Sequence, residues 1–284
     1  MPVTIAEIRT MKTRGEPIVM LTAYDATMAR LLDELGIPIL LVGDSLGMVV
    51  LGYADTTAVT MEDMLHHTKA VMRGRRRSLV VADMPFMSYT VSTEGALENA
   101  GRFIQEAGAH AVKLECGESI APTIRRLVAA GVPVMGHVGL TPQHVLVQGG
   151  YRVQGRTASA AEQVLRDALA VEAAGAFSVV LECIPAELAS LVTEALEIPT
   201  IGIGAGPRCD GQVQVIHDLL GAIPDFTPRH AKRYVELAAM VRTAVERYAE
   251  EVRACRFPEA GHGTSMDEAT VRAVRDRLEA LRPR

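Results

Sequence analysis

Aromatic residues are scarce: tryptophan is absent, and there are five phenylalanines and six tyrosines among 284 residues. The interior therefore cannot be organised around large rings. Cysteine is scarce too. Cys116, Cys183, Cys209 and Cys255 form no C-x-x-C pair, which argues against a disulfide scaffold or a thiolate zinc site and fits reduced thiols. No apolar run approaches the ~20 residues that a membrane span needs, and the first residues lack the apolar stretch of a secretion signal. The expectation is a cytoplasmic protein with no membrane partner. Nor is there an excess of positive charge. Lys and Arg number 29 against 34 Asp and Glu, a net charge of -5, so there is no footprint for nucleic acid. The one basic run, Arg73 with Arg75-Arg76-Arg77, falls at an expected helix end, where cations complement the dipole.

What is abundant is aliphatic. Hydrophobic residues make up 49% of the chain, enough for a large core of Val, Leu, Ile, Ala and Met. Strand and helix patterns alternate throughout. Thr4-x-x-Glu7 reads as a capping box opening an N-terminal helix. Strands are predicted near 18–22, 39–43, 79–83, 111–115, 132–136, 178–182, 199–203 and 213–217. Helices are predicted at 25–35, 61–72, 93–107, 120–130, 158–173 and 185–195. Gly36, Gly108, Gly131 and Gly175 sit where helix C-caps are expected. Alternating β and α with eight strands predicts a (β/α)8 TIM-type barrel, an open doubly wound sheet being the other option. A long helix over 228–255 follows. A Pro/Gly-rich joint then leads to a tail where Ser265-x-x-Glu268 resembles a second capping box. Val271, Val274, Leu278 and Leu281 form one helical face there, which needs a barrel or a neighbour to cover it. This predicts a single barrel domain over 1–256 and a helical C-terminal extension over 257–284.

The apolar strands carry charges where none is cheap. Ile39-Leu40-Leu41-Val42-Gly43 runs into Asp44-Ser45, and Leu79-Val80-Val81-Ala82 into Asp83. Ala111-Val112-Lys113-Leu114-Glu115 holds a lysine and a carboxylate on one face. Val134-Met135-Gly136 leads to His137, and Ser178-Val179-Val180-Leu181 to Glu182. A buried charge needs a partner or a metal, and α/β barrels bind ligands at the carboxyl ends of their strands. An enzyme site is therefore expected there. Carboxylates with no clustered His or Cys suit a hard, oxygen-seeking cation, most often Mg²⁺. Taken singly, Asp44 or Asp83 could equally be a turn or N-cap residue. Lys113 reads as a partner for a substrate anion or as a Schiff-base nucleophile. His137 reads as a substrate contact or a satisfied buried histidine.

Three further features are ambiguous. The segment 139–155 has no sustained helical period and is long for a connection, which favours a lid or binding loop. Gly202-x-Gly204-Ala205-Gly206 lacks the position and downstream acid of a dinucleotide fingerprint and reads as a tight turn. Cys116 and Cys183 each follow a site carboxylate. By strand alternation they should point away from it and pack.

Several segments together carry a family resemblance. Thr22-Ala23-Tyr24-Asp25, Leu41-Val42-Gly43-Asp44-Ser45-Leu46-Gly47-Met48 and Asp83-Met84-Pro85-Phe86-Met87 resemble ketopantoate hydroxymethyltransferases. So do Val112-Lys113-Leu114-Glu115, the run from Gly136-His137 to Pro142-Gln143, Gly149-Gly150-Tyr151-Arg152 and Leu181-Glu182-Cys183. Gly202-Ile203-Gly204-Ala205-Gly206 with Asp210-Gly211-Gln212 completes the set. The similarity runs in order from about residue 4 to 225 and does not reach the tail.

The resemblance implies transfer of a hydroxymethyl group from 5,10-methylenetetrahydrofolate to 3-methyl-2-oxobutanoate, through a Mg²⁺-stabilised enolate. The product is ketopantoate, for pantothenate and coenzyme A synthesis. It implies that Asp44, Asp83 and Glu115 surround Mg²⁺, and that Asp44, Ser45, Asp83 and Lys113 hold the keto acid, with His137 beside them. Glu182 is then the proton acceptor, and the partners are the small acid and the folate. It also implies a homo-oligomer, commonly a decamer. Other readings of the same residues are a Schiff-base aldolase, a Mg²⁺-dependent C–C lyase on a related barrel, and a non-catalytic keto-acid-binding protein.

Overall fold

A computed structural model describes residues 2–281 of the chain. They divide into two compact units, one up to Val235 and one from Glu236 onward. In the first, eight parallel strands close into a barrel in sequence order. They are β1 (Ile18–Thr22), β2 (Ile39–Val42), β3 (Leu79–Asp83), β4 (Ala111–Glu115), β5 (Val134–Gly139), β6 (Ser178–Glu182), β7 (Thr200–Ile203) and β8 (Gly211–Gln214). This is the (β/α)8 architecture the alternation predicts.

Two apolar layers hold it. Alternate side chains Ile18, Met20, Ile39, Leu41, Leu79, Val81, Ala111, Met135, Val180 and Ile201 fill the barrel interior. The other face of each strand packs under the helices Ala26–Glu34, Met61–Gly74, Thr93–Gln105, Ala121–Ala129, Ala158–Ala173 and Ala186–Ala195. The N-terminal helix Ile5–Arg14 is capped by the Thr4 hydroxyl, which accepts from the Glu7 N–H. Its Ile8 is fully buried against the inner layer, beside the first residues of β1, β2 and β3. That end of the barrel is sealed, so chemistry must use the other. Gly36, Gly108, Gly131 and Gly175 all have positive φ, between 76° and 97°, as helix-terminating glycines do.

Boundaries differ from the sequence reading in identifiable places. β5 extends to Gly139, which brings His137 inside the ladder. β8 ends at Gln214 rather than 217, because Ile216 opens a short helix and donates its N–H to the Thr22 hydroxyl, 2.9 Å away. Residues 228–236 are not helical. Tyr234 N–H bonds the Leu219 carbonyl, and the Arg233 guanidinium holds the carbonyls of Ile223, Pro224 and Phe226. The helix therefore starts at Leu237 and runs to Arg253.

That helix belongs to the second unit. Tyr248 stacks edge-on against Phe257, and Phe257 against His262, which ties the helix to the segment after it. The last helix spans Glu268–Leu281. Its cap is Asp267, which accepts from the Thr270 N–H at 2.9 Å, and not Ser265.

One buried carboxylate locks the entry to β3. Asp33 Oδ1 accepts from Arg77 N and Ser78 N, both at 2.7 Å, and from the Ser78 hydroxyl at 2.8 Å. Burial alone would raise its pKa, but these donors outweigh burial and leave it lowered from 3.8. A depressed carboxyl pKa stabilises the fold above the unfolded-state value, and that contribution is lost as pH falls through the folded one. Asp33→Asn keeps an acceptor but loses the charge. It is expected to cost about 1–2 kcal/mol at neutral pH, the difference between charged and neutral hydrogen bonds. In urea unfolding followed against pH, the gap from wild type should shrink below pH 3.8; a gap unchanged at low pH would rule out the charge as its source.

Candidate active site

The inward face of four adjacent strands changes from apolar to charged over two residues. Val81 is followed by Asp83, Ala111 by Lys113 and Glu115, Met135 by His137, and Val180 by Glu182. Strand register sets their neighbours: Asp83 lies beside Lys113, and Glu115 beside His137. Lys113 Nζ lies 2.8 Å from Asp83 Oδ1 and 3.2 Å from His137 Nδ1. His137 Nδ1 is 3.5 Å from Glu115 Oε1, and its Nε2 is 3.3 Å from Glu182 Oε2.

Asp44 arrives from the turn after β2, where its N–H donates to Asp83 Oδ2 at 3.1 Å. Gly43 makes this approach possible. A Cβ there would stand 2.9 Å from Ser45 Oγ and 3.5 Å from Asp83 Oδ2. Ser45 Oγ is 2.9 Å from the Tyr24 hydroxyl, which fixes it at the same rim. The sequence-predicted residues Asp44, Ser45, Asp83, Lys113, Glu115, His137 and Glu182 thus gather at one mouth of the barrel.

The electrostatics follow from burial and crowding. Asp44, Asp83, Lys113, Glu115 and His137 are all buried, while the Glu182 side chain keeps 14% exposure. Burial and then the charge of Asp83 push the Asp44 carboxyl up to about 7. Burial raises Glu115 as well. Burial would lower the Lys113 pKa, but Asp83, Glu115 and Asp44 outweigh it and hold the ammonium charged. Burial and Lys113 lower His137, which favours a neutral imidazole. Its Nδ1 then accepts from Lys113, which places the ring proton on Nε2, facing Glu182.

Two site residues were not visible in the sequence as such. Gln143 and Tyr89 are both buried at the centre of the mouth. Gln143 Nε2 donates to Asp44 Oδ2 at 2.8 Å and to the Met84 carbonyl at 2.9 Å, and its backbone N–H donates to Glu115 Oε2 at 3.0 Å. Tyr89 donates its hydroxyl proton to Gln143 Oε1 at 2.6 Å and accepts from Glu115 N–H at 3.3 Å. Neither residue is charged or periodic: Gln143 lies in the long loop and in a family motif that gave it no role, and Tyr89, in the segment after β3, carried no signal. The long loop contains a turn at Pro142–His144 and a short helix at Val145–Gln148, with Leu146 and Val147 exposed.

The two cysteines beside site carboxylates are not catalytic in this arrangement. Each leaves its strand with positive φ, 83° at Cys116 and 47° at Cys183. Cys116 packs against the outer apolar layer. Burial pushes its thiol up to about 12 and that of Cys183 up to about 11, so both remain protonated and weakly nucleophilic. The glycine-rich segment after β7 is a tight turn with Gly204 and Gly206 at positive φ. It borders a cavity of about 760 Å³ that also involves Lys12, Pro17, Asp210 and Gln214 and contains none of the clustered carboxylates.

The donor chemistry fits a hard divalent cation. Asp44, Asp83, Glu115 and Glu182 face one another with only the Lys113 ammonium between them, so the cluster is short of positive charge. Among the described residues no group of three or more His, Cys, Asp and Glu is arranged as a preformed metal cage. Magnesium does not need one, because it keeps several waters and takes one or two carboxylates together with substrate oxygens.

Known proteins supply the context. The family profile described as ketopantoate hydroxymethyltransferase matches residues 2–260. A 3-methyl-2-oxobutanoate hydroxymethyltransferase of Chloroflexus aurantiacus is 59% identical over 96% of this chain and 97% of its own length. The protein of that name from Roseiflexus sp. strain RS-1 is 58% identical over 98% and 99%. More distant barrels share only the fold. Phosphonopyruvate hydrolase aligns with TM-score 0.62 and 14% identity over 99% of this chain and 98% of its own. Phosphoenolpyruvate phosphomutase of Streptomyces platensis subsp. rosaceus aligns with TM-score 0.61 and 15% identity over 97% and 96%. With the match covering nearly the whole chain at such identity, the chain belongs to the ketopantoate hydroxymethyltransferase family, transferases that form ketopantoate in pantothenate biosynthesis.

Proposed function

We propose that the barrel mouth transfers a hydroxymethyl group from 5,10-methylenetetrahydrofolate to 3-methyl-2-oxobutanoate, with Mg²⁺ as the metal and Glu182 as the base. The observation that carries this reading is the convergence of Asp44, Asp83, Glu115, Lys113 and Glu182 on one rim. Asp44, Asp83 and Glu115 would hold Mg²⁺, which when bound supplies a Lewis acid for the keto oxygen and carboxylate of the acid.

The chain's own residues do the rest. Lys113, kept charged by Asp83, offers its ammonium to the anionic substrate and to negative charge developing on the keto oxygen. Ser45, fixed by Tyr24, is a hydroxyl donor at the same rim, and His137 presents its Nε2 proton between substrate and Glu182. Glu182 removes the proton from C3 of the acid. That carbon then attacks the folate methylene, and one water supplies the hydroxyl as tetrahydrofolate leaves. A Schiff-base route needs a neutral amine, which the carboxylates around Lys113 oppose. We also place the chain in the cytoplasm as a homo-oligomer, decameric as the resemblance implies.

The decisive experiment follows tetrahydrofolate release with purified protein, 3-methyl-2-oxobutanoate and 5,10-methylenetetrahydrofolate. Turnover should require the acid, the folate and Mg²⁺ and should stop with EDTA. Turnover undiminished by chelation would remove the metal from the scheme, and no turnover with both co-substrates and Mg²⁺ present would remove the assignment.

A further inference from the structure

We infer that Gln143, anchored by Tyr89, is a positioning residue that decides which oxygens of Asp44 and Glu115 face the reacting centre. The inference deepens the proposed reading of this mouth and rests on it for the roles of those two carboxylates.

Both side-chain protons of Gln143 and its carbonyl oxygen are engaged inside the protein. Its amide has two protons and one carbonyl oxygen. One proton goes to Asp44 Oδ2 and the other to the Met84 carbonyl, and the oxygen accepts from the Tyr89 hydroxyl. Flipping the amide would set its oxygen against a carboxylate and a carbonyl, both acceptors, and its NH₂ against the Tyr89 hydroxyl. The orientation is therefore fixed by its partners. With its side-chain protons and carbonyl all engaged, Gln143 is placed to orient other groups rather than to touch substrate.

The bonds close a ring. Glu115 N–H donates to the Tyr89 hydroxyl, Tyr89 donates to Gln143 Oε1, and Gln143 N–H donates back to Glu115 Oε2. Each of the two carboxylates thereby has one oxygen claimed, Oδ2 of Asp44 and Oε2 of Glu115. Their other oxygens are left to turn toward the mouth, where Glu115 Oε1 already lies 3.5 Å from His137. Partners that orient a ligand in this way typically change metal affinity or activity by 10–100-fold when removed.

The ring also crosses the fold. Asp44 follows β2, Met84 follows β3, Glu115 ends β4, and Gln143 comes from the long loop after β5. The Gln143 side chain therefore registers the ends of β2 and β3 against that loop, and its backbone N–H adds the end of β4. A buried polar network of this kind rigidifies its members, and loss of the Gln143 side chain would release Asp44 and loosen the loop that carries the backbone donor to Glu115.

The test uses the whole protein with Gln143→Met, which keeps length and burial but makes none of the side-chain bonds, and Tyr89→Phe, which removes only the anchor. Mn²⁺ serves as a spectroscopic substitute for Mg²⁺, its binding followed by electron paramagnetic resonance, alongside kcat and the KM for the keto acid and crystal structures of the variants. Positioning predicts folded variants with about 10–100-fold weaker Mn²⁺ binding in Gln143→Met, a smaller loss in Tyr89→Phe, and a rotated Asp44 carboxylate. It also predicts that raising the metal concentration recovers much of the lost kcat. Unchanged Mn²⁺ affinity with an unrotated Asp44 would overturn the inference, as would a kcat loss that excess metal cannot relieve. If wild type binds no Mn²⁺ at all, the metal reading fails, and the Asp44 orientation in the Gln143→Met crystal structure alone decides the positioning role. Should Gln143→Met not fold, Tyr89→Phe carries the same two outcomes at smaller amplitude.

Discussion

Replacing Glu182 with glutamine should abolish both proton exchange and hydroxymethyl transfer while leaving substrate binding in place. Glutamine keeps the size of the side chain and a carbonyl acceptor for the His137 Nε2 proton, 3.3 Å away in wild type, but it cannot accept a proton at a useful rate. With Mg²⁺ and no folate, the wild-type protein is expected to exchange the C3 hydrogen of 3-methyl-2-oxobutanoate with deuterated solvent. The variant should lose this exchange and overall turnover by the same factor, about 10²–10⁴, the range contributed by general bases. Proton NMR in D₂O reads the exchange directly. A variant that exchanges as fast as wild type but does not turn over would move Glu182 from the enolising step to a later one.

Asp44→Asn and Asp83→Asn should each reduce turnover by about 10²–10³ or more, the scale seen when one group facing developing charge is removed. Their effects on stability should differ. Asp83 is the nearest partner of Lys113, at 2.8 Å, so its loss leaves a buried ammonium short of compensation and should lower the melting temperature. Asp44 is itself crowded, its carboxyl pushed up to about 7 by burial and by Asp83. A raised carboxyl pKa contributes stability at low pH that is lost as pH rises through the folded value. Metal-free wild type should therefore lose stability between about pH 4 and pH 7, and Asp44→Asn should lose less over the same interval. Calorimetric melts of the metal-free proteins across that range check the sign. A steeper decline in the variant would show that Asp44 is not the strained member of the cluster.

The charged part of the site was legible because it broke a pattern. A strand such as 111–115 is apolar on both faces except at Lys113 and Glu115, and such an exception in a buried strand demands a reason. The same logic exposed Asp83 and Glu182, and family motifs added Ser45. What holds those charges apart was less visible. Gln143 and Tyr89 are neutral, sit in irregular segments and act through bonds that exist only once β2, β3 and β4 stand side by side. The errors in boundaries have the same origin. The 228–255 stretch has helical composition throughout, but Arg233 and Tyr234 find tertiary partners that win over local helix formation. In the tail, Asp267 and Ser265 are both competent caps, and sequence does not rank them.

The ladder register has a consequence for how this protein fails. Asp83 lies opposite Lys113, and Glu115 opposite His137. The spacing between these charges is thus the spacing between adjacent strands. A slip of one residue in any of these strands would turn its polar site residues into the apolar layer beneath the helices and bring an apolar neighbour such as Ala82, Leu114 or Val138 to the rim. Under mild acid or denaturant, a swollen barrel that retained its helices and strands but not its register would keep its far-ultraviolet dichroism and have no site at all. Catalysis is therefore a stricter gauge of this protein's integrity than its secondary structure.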